Sequence, residues 1–412
     1  MSKTQYILSH DVGTSSVKTA LVDLEGRIEV YDTEYYATFY PHVNWAEQDP
    51  DQYWDAIVKT TRRAMEGAKV QAQDVVGMVF TTQVLGIIPM DKDDRALRRA
   101  IIWMDGRASK QAAKIMSKFG GPKVFATVAG AALSGKDGLA KLLWLKENEP
   151  DTYHQMDRFL DVNGYLTFCA TGKKVFEWSC ASAIGFDLKK KDWLRMVINY
   201  IGLDLKKFPD LVRSIEGVGG LTDRAAQALG LLPGTPVFGG SGDMQSAAIG
   251  SGAVGEGEGH IYLGTSGWVG VTTSKTPTGS CGVVTLQSGD PKMNLVIGEM
   301  ETAGACLEWI RKEFYRHEEK DPMVSDIYAL LDELIRDLVP GSDYLICTPW
   351  LYGERCPRSD TFVRSTFFNL SASHKREHML TVAFCCGASL KFMDGGGLHE
   401  QLKLIPSGTK KD

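Results

Sequence analysis

The chain has 412 residues, 43% apolar and 24% charged, with a net charge of -5. That length exceeds one simple core and predicts two lobes. The acidic balance offers no positive field and argues against nucleic acid as a partner. No apolar run is long enough to span a bilayer, and the opening MSKTQYILSHD lacks a basic stretch followed by an apolar one. A cytoplasmic protein with no membrane segment is therefore expected. The eight cysteines show no metal-ligand spacing and read as reduced thiols.

Taken in order, YILSHD and VKTALVDL form a predicted hairpin around a VGTSS turn, followed by a strand through IEVYDTEYYATF. Asp49 is placed to cap a helix whose first turn holds Pro50 and whose inner face carries Tyr53, Trp54, Ile57 and Val58. VVGMVFTT and GIIPMD read as buried strands, and RRAIIWMDGRASKQAAKI as a strand running into a helix. This alternation predicts an α/β domain. Residues 119–236 read as mostly helical, with LAKLLWLKENEP the clearest amphipathic stretch. A glycine-dense segment follows: strand PVFGG, loop SGD, helix MQSAAIGSG, then strand–turn–strand through a second GTS. Beyond it come a helix (TAGACLEWIRKEF), a charged segment (HEEKDPMVSD), a strand (YLICTPWL) and a last helix over 374–394. The lobes are predicted as 1–254 and 255–412.

Gly13-Thr14-Ser15 and Gly264-Thr265-Ser266 each sit between two apolar strands near a lobe start. Such a repeat suggests duplication, with the two turns facing a common cleft. Each turn offers backbone N–H groups and hydroxyls to phosphate oxygens, although ordinary hairpin chemistry would also produce it. Asp11, ahead of the first turn, would repel phosphate unless a cation lay between them. It reads either as a Mg²⁺ holder acting through water or as an Asx-turn cap. Asp243, at a helix start behind Gly239-Gly240-Ser241-Gly242, reads either as a base for an acceptor hydroxyl or as a plain N-cap.

With these residues in view, the chain resembles the FGGY carbohydrate kinases, xylulokinase-like members in particular. The matching blocks run in order: HDVGTSSVKTALVD, NWAEQDPDQYW, AIIWMDGRA, GKDGLAKLLWLKENEP, ASAIGFD, GLLPGTPVFGGSGDMQSAAIGSGAV, IYLGTSGWV and YGERCPRSD. The resemblance implies a two-lobed actin/hexokinase-like (ribonuclease H-like) ATPase fold and ATP-dependent phosphorylation of a sugar or polyol, with Mg·ATP between the lobes. It gives Asp243 the role of catalytic base. It places Asp11, Gly13, Thr14, Ser15 and Lys18 in a first phosphate motif and Gly264, Thr265 and Ser266 in a second. It assigns Gln83 and the Trp103–Arg107 stretch to the sugar pocket, where Asp105 and Arg107 act as polar contacts or else form a salt bridge at a helix head.

Two departures stand out. Val84-Leu85-Gly86 replaces the family's Met-His-Gly, so Leu85 stands where a histidine would bond sugar hydroxyls, and Met244 follows the base where a polar residue is usual. The glycine-rich adenosine motif is matched only by Gly395-Gly396-Gly397, close to the last residue. The second lobe is therefore expected to be incomplete, with exposed apolar edges that favour self-association, a homodimer among the outcomes. A pentulose such as xylulose is the expected substrate. The alternatives are a non-catalytic sugar-binding or regulatory relative and, from a further class, a chaperone- or actin-type ATPase that leaves the WMDGR and NWAEQDP blocks without a purpose.

Overall fold

The computed structural model describes residues 4–129, 132–264, 266–277, 283–339, 341–354, 356, 360 and 362–386. Its contacts fall into two compact units. One comprises Met1–Ile249, Ser274–Thr276 and Leu286–Asn294; the other comprises Gly250–Thr273, Pro277–Thr285 and Leu295–Asp412.

In the first unit, strands β1 (Tyr6–Val12), β2 (Ser16–Asp23) and β3 (Ile28–Tyr35) form an antiparallel meander. Alternation decides which side chains face the core. Leu8, His10 and Val12 of β1, with Val17, Thr19 and Leu21 of β2, are buried, and Asp11 points to the opposite face from His10. His10 is a polar residue in an apolar position, and one of its ring nitrogens is satisfied locally: Nδ1 lies 2.8 Å from the Thr19 hydroxyl, which lies 2.6 Å from that of Thr60, while Nε2 has no partner among the described residues. Burial lowers the His10 pKa to about 3, so the ring is neutral.

After the short strand β4 (Glu47–Gln48), helix α1 (Pro50–Ala68) packs Tyr53, Ile57, Thr60 and Ala64 inward. The Asp49 carboxylate accepts the Asp51 N–H at 3.1 Å and Pro50 occupies the first turn, as the sequence suggested. Strand β5 (Val75–Thr82) then pairs parallel to β1. The seven-stranded sheet runs Gly217–Gly220, Pro236–Phe238, β5, β1, β2, β3, and the two-residue strand Ser241–Gly242 also pairs with β5.

A second apolar cluster in this unit gathers Ile87, Ile101, Leu142, Phe159, Phe176, Trp193 and Phe208. Here the sequence reading needs correction. Among the described residues, 119–236 hold seven α-helices but also strands such as Arg158–Leu160, Val175–Glu177, Asp210–Val212 and Gly217–Gly220. Runs of two to four residues are too short to display a period, and only their distant partners define them. Likewise β3 ends at Tyr35 rather than Phe39, where an isolated bridge to Glu47 takes over.

A four-stranded sheet, most of it in the second unit, is ordered Gly259–Leu263, Gly267–Thr273, Asn294–Met300, Val283–Gln287. Helices Gly304–Phe314, Ile327–Ile335 and Arg376–Cys386 pack around Cys306, Ile310, Tyr315, Leu331 and Leu380. The expected strand YLICTPWL narrows to Ile346–Thr348, because Pro349 cannot continue the ladder. Thr265, the rest of the expected last helix beyond Cys386, and Gly395–Gly397 lie outside the described residues. Among the described residues, no helix is long and apolar enough to cross a membrane.

Candidate active site

Three neighbouring parallel strands bring the candidate residues to one edge. Asp11 of β1 pairs with Thr81 of β5, which pairs with Ser241; Val12 pairs with Thr82, which pairs with Gly242. The next residues along the three strands are Gly13, Gln83 and Asp243. They stand side by side at the carboxyl ends, about 5 Å between adjacent strands. Asp243 opens the helix Asp243–Gly250, is half-buried, and accepts the Met244 N–H at 2.8 Å.

The first turn is held from beneath by side chains distant in sequence. Gly13 O accepts the Tyr36 hydroxyl and, at 3.2 Å, the Gln83 amide. Thr14 O accepts the Gln48 amide at 2.6 Å, and Ser15 O accepts the Tyr36 N–H at 3.2 Å. The Thr14 hydroxyl takes the Trp103 indole N–H at 2.9 Å. Gln48 is itself held, its carbonyl oxygen accepting from Gln83 at 2.8 Å and from the Tyr53 hydroxyl at 2.7 Å. With all three carbonyls committed inward, the N–H groups of Thr14 and Ser15 have no protein acceptor among the described residues. An anion would find two free donors there. Lys18, across the hairpin, sets its Nζ 3.5 Å from Asp11 Oδ2, and both side chains are solvent-accessible, at 62% and 44%.

Gln48 was missed by sequence reasoning. The signal was present in the NWAEQDP block, where it stands just ahead of the helix cap, but nothing local reveals that it reaches Thr14. Trp45 in the same block also finds a purpose: the Arg107 guanidinium lies 3.7 Å over its ring and 4.9 Å over that of Trp144.

The side chains of Asp105 and Arg107 are both buried and joined to each other. Asp105 Oδ1 accepts Arg107 N at 3.0 Å and Nε at 2.8 Å. Its Oδ2 accepts Ala46 N at 2.6 Å and Arg107 Nη2 at 2.7 Å, and that Nη2 also reaches Glu47 Oε1 at 2.7 Å. Protein donors thus fill both oxygens of Asp105. Two buried polar atoms, Gln83 Oε1 and Arg107 Nη1, have no hydrogen-bond partner among the described residues.

Leu85 adopts a left-handed backbone, φ 63°, rare for a bulky residue. Its carbonyl accepts the buried Lys141 ammonium at 3.0 Å, and that ammonium also donates to Ile102 O at 2.8 Å. One lysine therefore ties the loop after Gln83 to the loop before Trp103. The side chains of Leu85 and Met244 both pack against the second apolar cluster, so the two departures from the family pattern share one apolar environment.

The second turn, in the other unit, joins Gly259–Leu263 to Gly267–Thr273 in an antiparallel hairpin. Gly264 N donates to Ser266 O at 2.9 Å and Gly264 O accepts Gly304 N at 2.8 Å. A Cβ at Gly264 would meet the Tyr262 ring at 2.7 Å, so any other residue requires that ring to move.

Residues 6–250 match the N-terminal domain of the FGGY family of carbohydrate kinases. The chain is 28% identical to the xylulose kinase of Bacillus subtilis, over 99% of this chain and 81% of that protein. It is also 28% identical to the gluconokinase of the same organism, over 92% of this chain and 74% of that one. A crystal structure of xylulose kinase from Rhodospirillum rubrum superposes with a TM-score of 0.88 at 24% identity, covering 98% of this chain and 82% of that one. The shared fold is the α/β actin/hexokinase-like fold. With the match spanning more than half of the sequence, the chain belongs to the FGGY family of carbohydrate kinases.

Proposed function

We propose that this protein transfers the γ-phosphoryl group of ATP to a hydroxyl of a sugar or polyol, a pentulose such as xylulose first among them, with Asp243 as general base. The observation that carries this reading is the register that sets the first turn, Gln83 and Asp243 at adjoining carboxyl ends of parallel strands, where open α/β sheets bind their ligands. The Asp243 carboxylate orients the acceptor hydroxyl and takes its proton as the oxygen attacks the γ-phosphorus and the bond to ADP breaks. The free amides of Thr14 and Ser15 and the Lys18 ammonium bind phosphate oxygens.

Asp11 fits a hydrated cation better than a protein cage. Its side chain is 44% exposed, and among the described residues no three His, Cys, Asp or Glu side chains cluster as metal ligands. One carboxylate with water around it suits Mg²⁺, which keeps most of its hydration shell. When bound at Asp11, Mg²⁺ supplies the positive charge that neutralises the phosphates. For the polyol, Gln83 Oε1 is the acceptor and Arg107 Nη1 the donor left over by the protein; Asp105 acts only by holding Arg107 in place. Cys169, Cys180 and Cys306 are reduced thiols, in keeping with a cytoplasmic setting.

The test is ADP formation with Mg·ATP across D-xylulose, L-xylulose, D-ribulose, L-ribulose, glycerol, gluconate and erythritol. A polyol-dependent rate identifies the substrate. No rate on any of them, from a protein that one of the same polyols stabilises against heat, refutes the kinase reading.

A further inference from the structure

The loop that delivers Asp243 contains three glycines, Gly239, Gly240 and Gly242, and so has little stiffness of its own. It is tethered residue by residue. Gly239 N donates to Glu216 O at 3.0 Å and Gly240 N to Ser214 O at 2.9 Å. The last amide before the base, Gly242 N, belongs to the short strand that pairs with β5 and donates to the Ser179 hydroxyl oxygen at 3.0 Å.

A serine hydroxyl has one proton and two lone pairs, and which of them faces Gly242 depends on the rotor. Here Glu177 decides. Its Oε2 accepts the Ser179 hydroxyl at 2.5 Å, the Ser179 N–H at 2.8 Å and the Cys180 N–H at 3.1 Å, capping the helix Trp178–Ser182. With the hydroxyl proton committed to the carboxylate, only lone pairs remain to meet Gly242 N. Glu177 and Ser179 are 1% and 0% exposed, so water cannot replace either contact. A buried acid is costly to keep, and Glu177 retains one oxygen, Oε1, with no hydrogen-bond partner among the described residues. Capping a helix of five residues alone does not account for it.

We infer that Glu177 and Ser179 are positioning residues for the catalytic carboxylate: Glu177 orients the Ser179 hydroxyl, and Ser179 fixes the Gly242 amide and with it the placement of Asp243. The inference rests on Asp243 being the base. Neither residue touches the reacting atoms. A shift of about 1 Å in a reacting group costs on the order of a hundredfold in rate, so loss of this tether lowers kcat while binding of the sugar is retained.

The test compares wild type, Ser179→Ala, Ser179→Thr and Asp243→Asn in steady-state turnover with Mg·ATP and D-xylulose, or gluconate where xylulose gives no rate. Thermal unfolding of each variant accompanies the kinetics. Ser179→Ala removes a single oxygen and is expected to lower kcat about ten- to hundredfold with the sugar KM within about threefold. Ser179→Thr restores the hydroxyl and is expected to recover most of the rate. An unchanged kcat in Ser179→Ala, with Asp243→Asn inactive, overturns the positioning role and leaves the base in place. Equal losses in the Ala and Thr variants overturn it too, since packing would then be the cause. Full activity in Asp243→Asn overturns the base assignment itself.

Discussion

Lys141 offers the sharpest energetic test. Its ammonium is fully buried and donates to Leu85 O at 3.0 Å and Ile102 O at 2.8 Å. Burial lowers its pKa from 10.5 to about 7; Asp105 and Asp137 oppose the shift, while Arg107 and Lys136 add to it. Between those two values the unfolded chain binds a proton that the folded protein does not. Stability therefore rises with pH across that window, and below about pH 7 the penalty is at its full size. Carried through the linkage relation, the Lys141 contribution improves by about 2–3 kcal/mol between about pH 7.5 and about pH 9.5. Lys141→Met has no such titration. Urea unfolding of wild type and variant at a series of pH values, followed by tryptophan fluorescence, should show wild type gaining on the variant by that amount. A difference between the two that stays flat over the range would refute the reasoning, because the ammonium would then be as well solvated in the fold as out of it.

Two further outcomes follow from single contacts. Gly240 has φ +75°, and a Cβ there would lie 2.0 Å from Phe80 O. Gly240→Ala should therefore destabilise by about 3 kcal/mol or more, read as a lowered unfolding midpoint or loss of folded protein; a variant with wild-type stability would contradict the backbone described for this loop. Gln48→Ala removes the donor to Thr14 O and the acceptor of Gln83 and Tyr53, which loosens the first turn. KM for ATP should rise about tenfold with a smaller change in the sugar KM, and equal changes in both would sink the idea.

Contacts between sequence neighbours were legible in advance, and contacts between distant residues were not. The β1–β2 hairpin, the Asp49 cap with Pro50 and the helix opening at Asp243 follow from alternation and capping chemistry confined to a few residues. Asp105 and Arg107 read from sequence as sugar contacts or else as a salt bridge, and the groups that join them in the fold, Ala46, Glu47 and Trp45, stand some sixty residues earlier. Gln48 stood in a recognisable block with no local sign of its partner, and Ser179 carried no signal at all. An amide and a hydroxyl become recognisable only when the fold presents them with Thr14 O and Gly242 N. The short strands within 119–236 were hidden for the same reason, since each is defined by a partner strand rather than by its own pattern.

The central claim is that Asp243 removes the proton from the acceptor hydroxyl. It is tested most directly by rapid-quench single-turnover measurement of phosphosugar formation with saturating Mg·ATP and sugar, in wild type and Asp243→Asn. The asparagine keeps the size and the hydrogen bond to Met244 N but cannot accept the proton. The account predicts that sugar binding survives while the chemical step slows by about a thousandfold or more; phosphosugar forming in the variant at the wild-type rate would contradict it.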